Sequence, residues 1–158
     1  MEIGLEKMDN RIKDCIDKSV LCWLATVDGD HAPNVSPKEV FAFYNEKTLL
    51  IANIASPGSV RNIRNNPNVC VSLVDIFVQK GYKLKGTAKI INNSDASFPD
   101  KVKFLTELFT DAFPINEVIE ITVVKAAPIL APSYLFFPDT TESKQIENAM
   151  GAYGVRPR

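Results

Sequence analysis

Three short segments of this chain carry side chains able to bind or polarise a ligand. The first, Asn34-Val35-Ser36-Pro37-Lys38-Glu39-Val40, sets a hydroxyl and an ammonium on either side of a proline. Proline cannot donate to a strand ladder, so Pro37 marks an edge, a bend or a bulge. Such a bend leaves backbone groups and the Lys38 cation free to meet a ligand, although a plain hairpin corner accounts for the residues equally well. The second runs from Ala52-Asn53-Ile54-Ala55-Ser56-Pro57-Gly58-Ser59 to Pro67, a strand passing through small and hydroxylated residues into a helix start. Free N–H groups and the helix dipole make that junction a natural anion site, though any capped helix shows some of this. Ser56, Ser59, Arg61, Asn62 and Arg64 add donors. The third, Gly81-Tyr82-Lys83-Leu84-Lys85-Gly86-Thr87, has the outer spacing of a phosphate-binding loop. It lacks the lysine before the hydroxyl residue and lies in a strand context. Its simpler reading is a strand bounded by glycines with Lys83 pointing outward. Lys85 shares that parity, so the face is polar or lines a ligand.

Other chemistries have little material. His31 is the chain's one histidine and follows Asp28-Gly29-Asp30, a turn signal. Cys15, Cys22 and Cys70 are widely spaced and form neither a disulfide framework nor a zinc set. Cys15 and Cys70 fall in apolar patterns and read as small buried hydrophobes.

The elements that must position these segments follow from periodicity. The 158 residues are 46% hydrophobic and 23% charged with a net charge of −1, the balance of a folded globular domain. A chain of this size buries roughly 70% of its unfolded surface, and one domain spanning residues 1–158 is expected. Near-neutral charge argues against a nucleic-acid partner. No apolar run reaches the roughly 20 residues of a membrane span. The N-terminal MEIGLEKMDNRIKD lacks the apolar stretch of a signal peptide, so a cytoplasmic location is expected.

Leu5, Met8, Ile12, Cys15 and Ile16 recur at helical spacing, predicting a helix over 4–18. Strands are predicted over 20–27, 35–44, 48–53, 69–78, 82–91 and 118–124, with a tight turn after Val27. A helix from Ser56-Pro57, with a hydroxyl cap, stops before Pro67. Another covers 102–113, with Val102, Leu105, Leu108 and Phe109 on one face. In the tail, Ser133-Tyr134-Leu135-Phe136-Phe137 reads as an extended apolar segment. A short helix over 142–149 precedes a frayed GAYGVRPR end. Six strands with short connections predict a mainly β fold, a six-stranded antiparallel barrel with peripheral helices. The barrel occupies about 19–137, with a tail over 138–158.

In this order, LATVDGDHAPNVSPKEV, TLLIANIASPGSVRNIRNNPNVCVSLVD, GYKLKGTAKI and VIEITVVKAAPI resemble the pyridoxamine 5'-phosphate oxidase-like FMN-binding split barrels. The resemblance covers about residues 19–137 and is most specific over Ser56–Pro67 and Gly81–Ala88. It implies a homodimer with FMN at the subunit interface. Val35, Ser36, Pro37 and Lys38 would lie along the isoalloxazine, with Ala52, Asn53 and Ile54 bracketing its pyrimidine edge. Ser56, Ser59 and Asn62 would hold the ribityl phosphate, and Lys83 or Lys85 would come from the strand bordering the pocket. Many relatives carry a lysine or arginine where Gly58 stands, so Lys38, Arg61 or a strand lysine must replace that charge. The residues that hold substrate phosphate in vitamin B6 oxidation are not recognisable. The resemblance thus implies a flavin-dependent oxidoreductase or electron-transfer protein acting with a small-molecule substrate or electron donor. The alternatives are a flavin-storing module without turnover, or a relative binding haem or a deazaflavin.

Overall fold

The computed structural model describes residues 3–4 and 8–157. Among them, eight strands form one sheet: β1 (Ile3–Gly4), β2 (Cys22–Val27), β3 (Pro33–Lys38), β4 (Phe41–Asn45), β5 (Thr48–Asn53), β6 (Asn68–Asp75), β7 (Lys80–Asn92) and β8 (Glu117–Leu130). The order is β3-β2-β6-β7-β8-β5-β4, with β1 on β8, and every pairing is antiparallel. The helices are α1 (Asn10–Lys18), α2 (Pro57–Asn65), α3 (Phe98–Leu108), α4 (Ser133–Phe136) and α5 (Glu142–Tyr153). No helix among the described residues is long and apolar enough to cross a membrane.

Period-two patterning explains the curl. Ile119, Ile121 and Val123 of β8 turn inward and are fully buried, joining Leu24, Leu49, Val71 and Leu84 from four other strands. Helix α1 plugs this core with Ile12 and Ile16, joined by Met8 just before it, and touches both β4 at one end of the sheet and β6 and β7 in its middle. The result is a split barrel. A smaller cluster on the opposite face, including Leu50, Val118 and Leu105, seats α3.

Several expected boundaries move. The predicted strand over 35–44 is two strands, broken at Glu39-Val40, and Ile3-Gly4 adds another, so there are eight strands instead of six. The first helix starts at Asn10, where the Asp9 carboxylate accepts the Ile12 N–H at 3.0 Å. Gly4 is in β1, and residues 5–7 of the expected helix, Leu5 included, lie outside the described residues. Cys15 and Cys70 are half-buried, and only Cys22 is fully enclosed. Helix α3 begins at Phe98, with Pro99 in its first turn, and ends at Leu108, so Phe109 and Phe113 leave the helix. The tail segment forms the single turn α4, with Leu135, Phe136 and Phe137 exposed. Helix α5 continues to Tyr153 and is closed by Gly154 at φ 66°.

Gly81 and Gly86 have a packing role. A Cβ on Gly81 would strike the Leu73 carbonyl oxygen, and one on Gly86 that of Thr122. The register with β8 shifts between Lys85 and Gly86, so the glycines let adjacent strands approach at the bends. Pro33 and Pro37 both lie in β3, an edge of the sheet, where a missing N–H is tolerated.

An ion-pair group fixes α3. Lys101, buried, reaches Glu120 of β8 at 3.0 Å and the Ser97 hydroxyl at 2.6 Å, while Lys89 meets the other Glu120 oxygen at 2.8 Å. Burial alone would raise the Glu120 carboxyl, but hydrogen bonds and charge from Lys89 and Lys101 outweigh it and hold it below its ordinary range. Glu120→Gln, which strands the Lys101 charge, is expected to lower unfolding free energy by about 3 kcal/mol at pH 7 in urea titrations. Because the folded value is depressed, the wild-type advantage is complete above pH 4.5 and closes as pH falls through the lower folded value.

Candidate functional site

The site starts from the parity of β3. Asn34, Ser36 and Lys38 sit opposite Thr26, Leu24 and Cys22 of β2, which are all buried, so this polar row faces inward. Helix α2 lies across β2 and β3 and meets the row with polar side chains of its own. The Ser36 and Ser59 hydroxyls are 3.0 Å apart. Asn34 Nδ2 donates to Thr26 Oγ1 at 3.1 Å and to Ser59 Oγ at 3.4 Å, and Asn62 Nδ2 donates to Thr26 Oγ1 at 3.1 Å. Thr26, Ser59 and Asn62 are all buried in this seam, which satisfies buried polar groups that would otherwise oppose folding.

Lys38 ends the row. Its ammonium donates to the Ser56 hydroxyl, and the residue is only 6% exposed. Among the described residues no carboxylate lies within ion-pair distance of it. Desolvation therefore lowers its proton affinity, with the neighbouring Cys22 opposing weakly. Burial pushes the Cys22 thiol up to about 12, so it stays neutral and is no nucleophile.

The same contact changes the start of α2. Ser56 occupies the N-cap but its hydroxyl makes no cap bond, contrary to the expected hydroxyl cap, because it is engaged by Lys38. The Ser56 N–H instead donates to Asn53 Oδ1 at 3.1 Å. Asn53 Nδ2 donates to Glu117 Oε2 at 3.0 Å, and Arg64 holds Glu117 Oε1 at 2.5 Å. The N–H groups of Gly58 and Ser59 belong to the first turn, which has no intrahelical partners for them. A side chain at Gly58 would meet open space, and its φ is not left-handed.

Beside Lys38 opens a cleft of about 460 Å³. Lys38, Glu39, Ser56 and Thr110 are its polar lining. Pro37, Val40, Ala52 and Ile54 form one apolar side, and Phe109 and Phe113 from the segment after α3 form the other. Of the candidate residues, Pro37, Lys38, Ala52, Ile54 and Ser56 line this cleft. Asn53 stands behind it, Gly58 is on the adjoining helix turn, and Ser36, Ser59 and Asn62 form the seam. Val35, Lys83 and Lys85 are exposed on the outer face of the sheet. There Val35 aligns with Ala25, Cys70, Lys85 and Lys125, and Pro37 with Trp23, Ser72, Lys83 and Ala127, in two rows across five strands. Phe109, Phe113, Thr26 and Glu117 enter the site without having been singled out from sequence. Thr26 was detectable as a hydroxyl at an inward strand position. The two phenylalanines were hidden by the overlong helix expectation.

Fold and cleft together define a small antiparallel split barrel with an aromatic-walled cleft, lined by Lys38, beside a helix N-terminus. The model of the pyridoxamine 5'-phosphate oxidase family matches residues 8–127, and the chain belongs to that family. HupZ of Group A Streptococcus is 25% identical, with a TM-score of 0.66 over 75% of this chain and 91% of that one. An FMN-binding protein of Syntrophomonas wolfei is 16% identical, with a TM-score of 0.63 over 76% and 84% of the two chains. HutZ, a haem storage protein of Vibrio cholerae, is 18% identical, with a TM-score of 0.62 over 81% and 95%. No curated protein matches the sequence.

An uncompensated buried cation costs stability. Lys38→Met is expected to raise the unfolding free energy of the ligand-free protein by about 1 kcal/mol or more at pH 7. The folded lysine releases its proton at lower pH than the unfolded one, so wild-type stability recovers as pH rises toward 10.5. Urea titrations at pH 7 and pH 10 check both the gain and its narrowing. A variant less stable than wild type would show that the Lys38 charge is fully compensated.

Proposed function

We propose that this chain is an FMN-binding flavoprotein that works as a homodimeric redox protein. The observation that carries the reading is the Lys38 ammonium, buried with no ion-paired carboxylate among the described residues, at an aromatic-walled cleft beside the start of α2. That donor set fits a planar ligand carrying anionic groups. Lys38 and Ser56 would face the polar edge of the ring, with Pro37, Ala52 and Ile54 along it and Asn53 behind. The Gly58 and Ser59 N–H groups at the positive end of α2 would hold the phosphate, helped by Arg61. The flavin supplies the electron transfer that none of these side chains offers. The protein supplies a cation that favours negative charge on its ligand, and aromatic walls that keep water away. The Ser59 hydroxyl is committed to Ser36 and Asn34, so backbone donors at α2 carry more of the phosphate binding.

The outer face of the barrel supports a dimer. Trp23, Val35 and Val124 are each more than two-fifths exposed there, and Lys83 and Lys85 lie in the same rows. Burying one such large side chain contributes roughly 1.5–3 kcal/mol, so several across a two-fold axis suffice. Lys83 or Lys85 would then reach the partner's flavin. Sedimentation at micromolar concentration is expected to give twice the chain mass, and a clean monomer would overturn the shared site.

A second reading, haem binding, is suggested by the likeness to HutZ. His31, the one histidine, is exposed in the β2–β3 turn with φ 64° and does not line the cleft. The absorbance spectrum of the purified protein separates flavin from haem, and anaerobic reduction by NADH or NADPH separates turnover from storage.

Two bonds to a phosphate, each contributing about 1.5–3 kcal/mol, predict FMN preferred over riboflavin by roughly a hundredfold or more. Gly58→Lys adds a charge where the backbone has room and is expected to widen that preference. Fluorescence titrations with both flavins are the measurement, and equal affinities in the wild type would remove the phosphate site.

A further inference from the structure

We propose that Glu117 is a positioning residue of the cleft. By fixing which way the Asn53 amide points, it sets the Ser56 backbone and the hydroxyl that receives Lys38. The inference rests on the FMN reading for its effect on ligand binding, though the relay itself is a property of the ligand-free protein.

A side-chain amide has a donor end and an acceptor end of nearly the same shape, and its neighbours decide its orientation. Here one neighbour of Asn53 is the Ser56 N–H, which can only donate, and the other is the Glu117 carboxylate, which when ionised can only accept. The two requirements agree on one orientation: Nδ2 toward β8 and Oδ1 toward α2. Arg64, about two turns into α2, holds the second Glu117 oxygen at 2.5 Å and keeps the carboxylate in place. The chain Arg64–Glu117–Asn53–Ser56–Lys38 thus leaves α2, crosses β8 and the end of β5, and returns to the start of α2 before reaching β3. Asn53 is buried, so a flipped amide would have no water to correct it. It would set donor against donor at Ser56. Glu117 does not line the cleft and acts only through these partners.

The isosteric change Glu117→Gln tests the polarity of the relay while keeping its size. Glutamine can present an N–H to Asn53 and lets the amide turn, and it loses the charge that Arg64 needs. The expected loss of FMN affinity is about tenfold, the equivalent of one mis-set buried hydrogen bond. In a Ser56→Ala background the same change is expected to cost less than about twofold, because residues in one network are not additive. Full affinity in E117Q, or losses that multiply in the double variant, would overturn the relay. If the wild type binds no FMN, the function reading fails, and the relay is read from ¹⁵N NMR of the ligand-free protein. E117Q is then expected to shift the Ser56 backbone amide and both Asn53 side-chain resonances, and an unmoved Ser56 amide would overturn the inference.

Discussion

An ammonium taken out of water loses several kcal/mol of hydration, and among the described residues Lys38 has one neutral hydroxyl to set against that loss. Everything at this mouth of the barrel is arranged around that deficit. The Ser56 hydroxyl is drawn from its usual capping duty, so the start of α2 takes its bond from Asn53 and keeps first-turn donors available. The polar row of β3 brings the lysine inward, and the seam with α2 satisfies the other polar groups on that row. What remains is positive charge that the Ser56 hydroxyl does not neutralise.

The Lys38 charge works against stability, and the cost is tolerable because the rest of the barrel has reserves. Its core is built from inward rows of aliphatic residues on β2, β5, β6, β7 and β8, all essentially without solvent contact. Helix α3 is tied to the sheet by Lys101 and Glu120, and the segment that follows it carries Phe109 and Phe113 to the cleft. The aromatic wall is thus hung from an ion pair on the far side of β8, so the two ends of the site have independent supports.

Alternation made the barrel legible: β8 could be read from Ile119, Ile121 and Val123, and the start of α2 from Ser56-Pro57. What the pattern cannot express is where a strand bends, so the run 35–44 hid the break at Glu39-Val40 that opens the cleft. Nor does an apolar run disclose where a helix stops. Leu108 and Phe109 fit a helical face in sequence, yet α3 has ended before Phe109 and that ring lines the cleft. For the site, residue type and local spacing pointed to Lys38 and Ser56, which are close in space. They did not reveal Glu117, whose link to Asn53 spans 64 positions and exists only once β8 pairs with β5. Parity also divides the Val35–Lys38 group: Val35 faces outward while Ser36 and Lys38 face in.

The two prolines of β3 bear on how copies of this chain can meet. An open sheet edge ordinarily invites another strand to add to it, the first step toward runaway fibrous growth. With Pro33 and Pro37 in a six-residue edge strand, two of its potential donors are gone, and a continuous ladder cannot form along it. Self-association on this side is steered away from edge-to-edge growth and toward contacts between sheet faces, which can close after two copies.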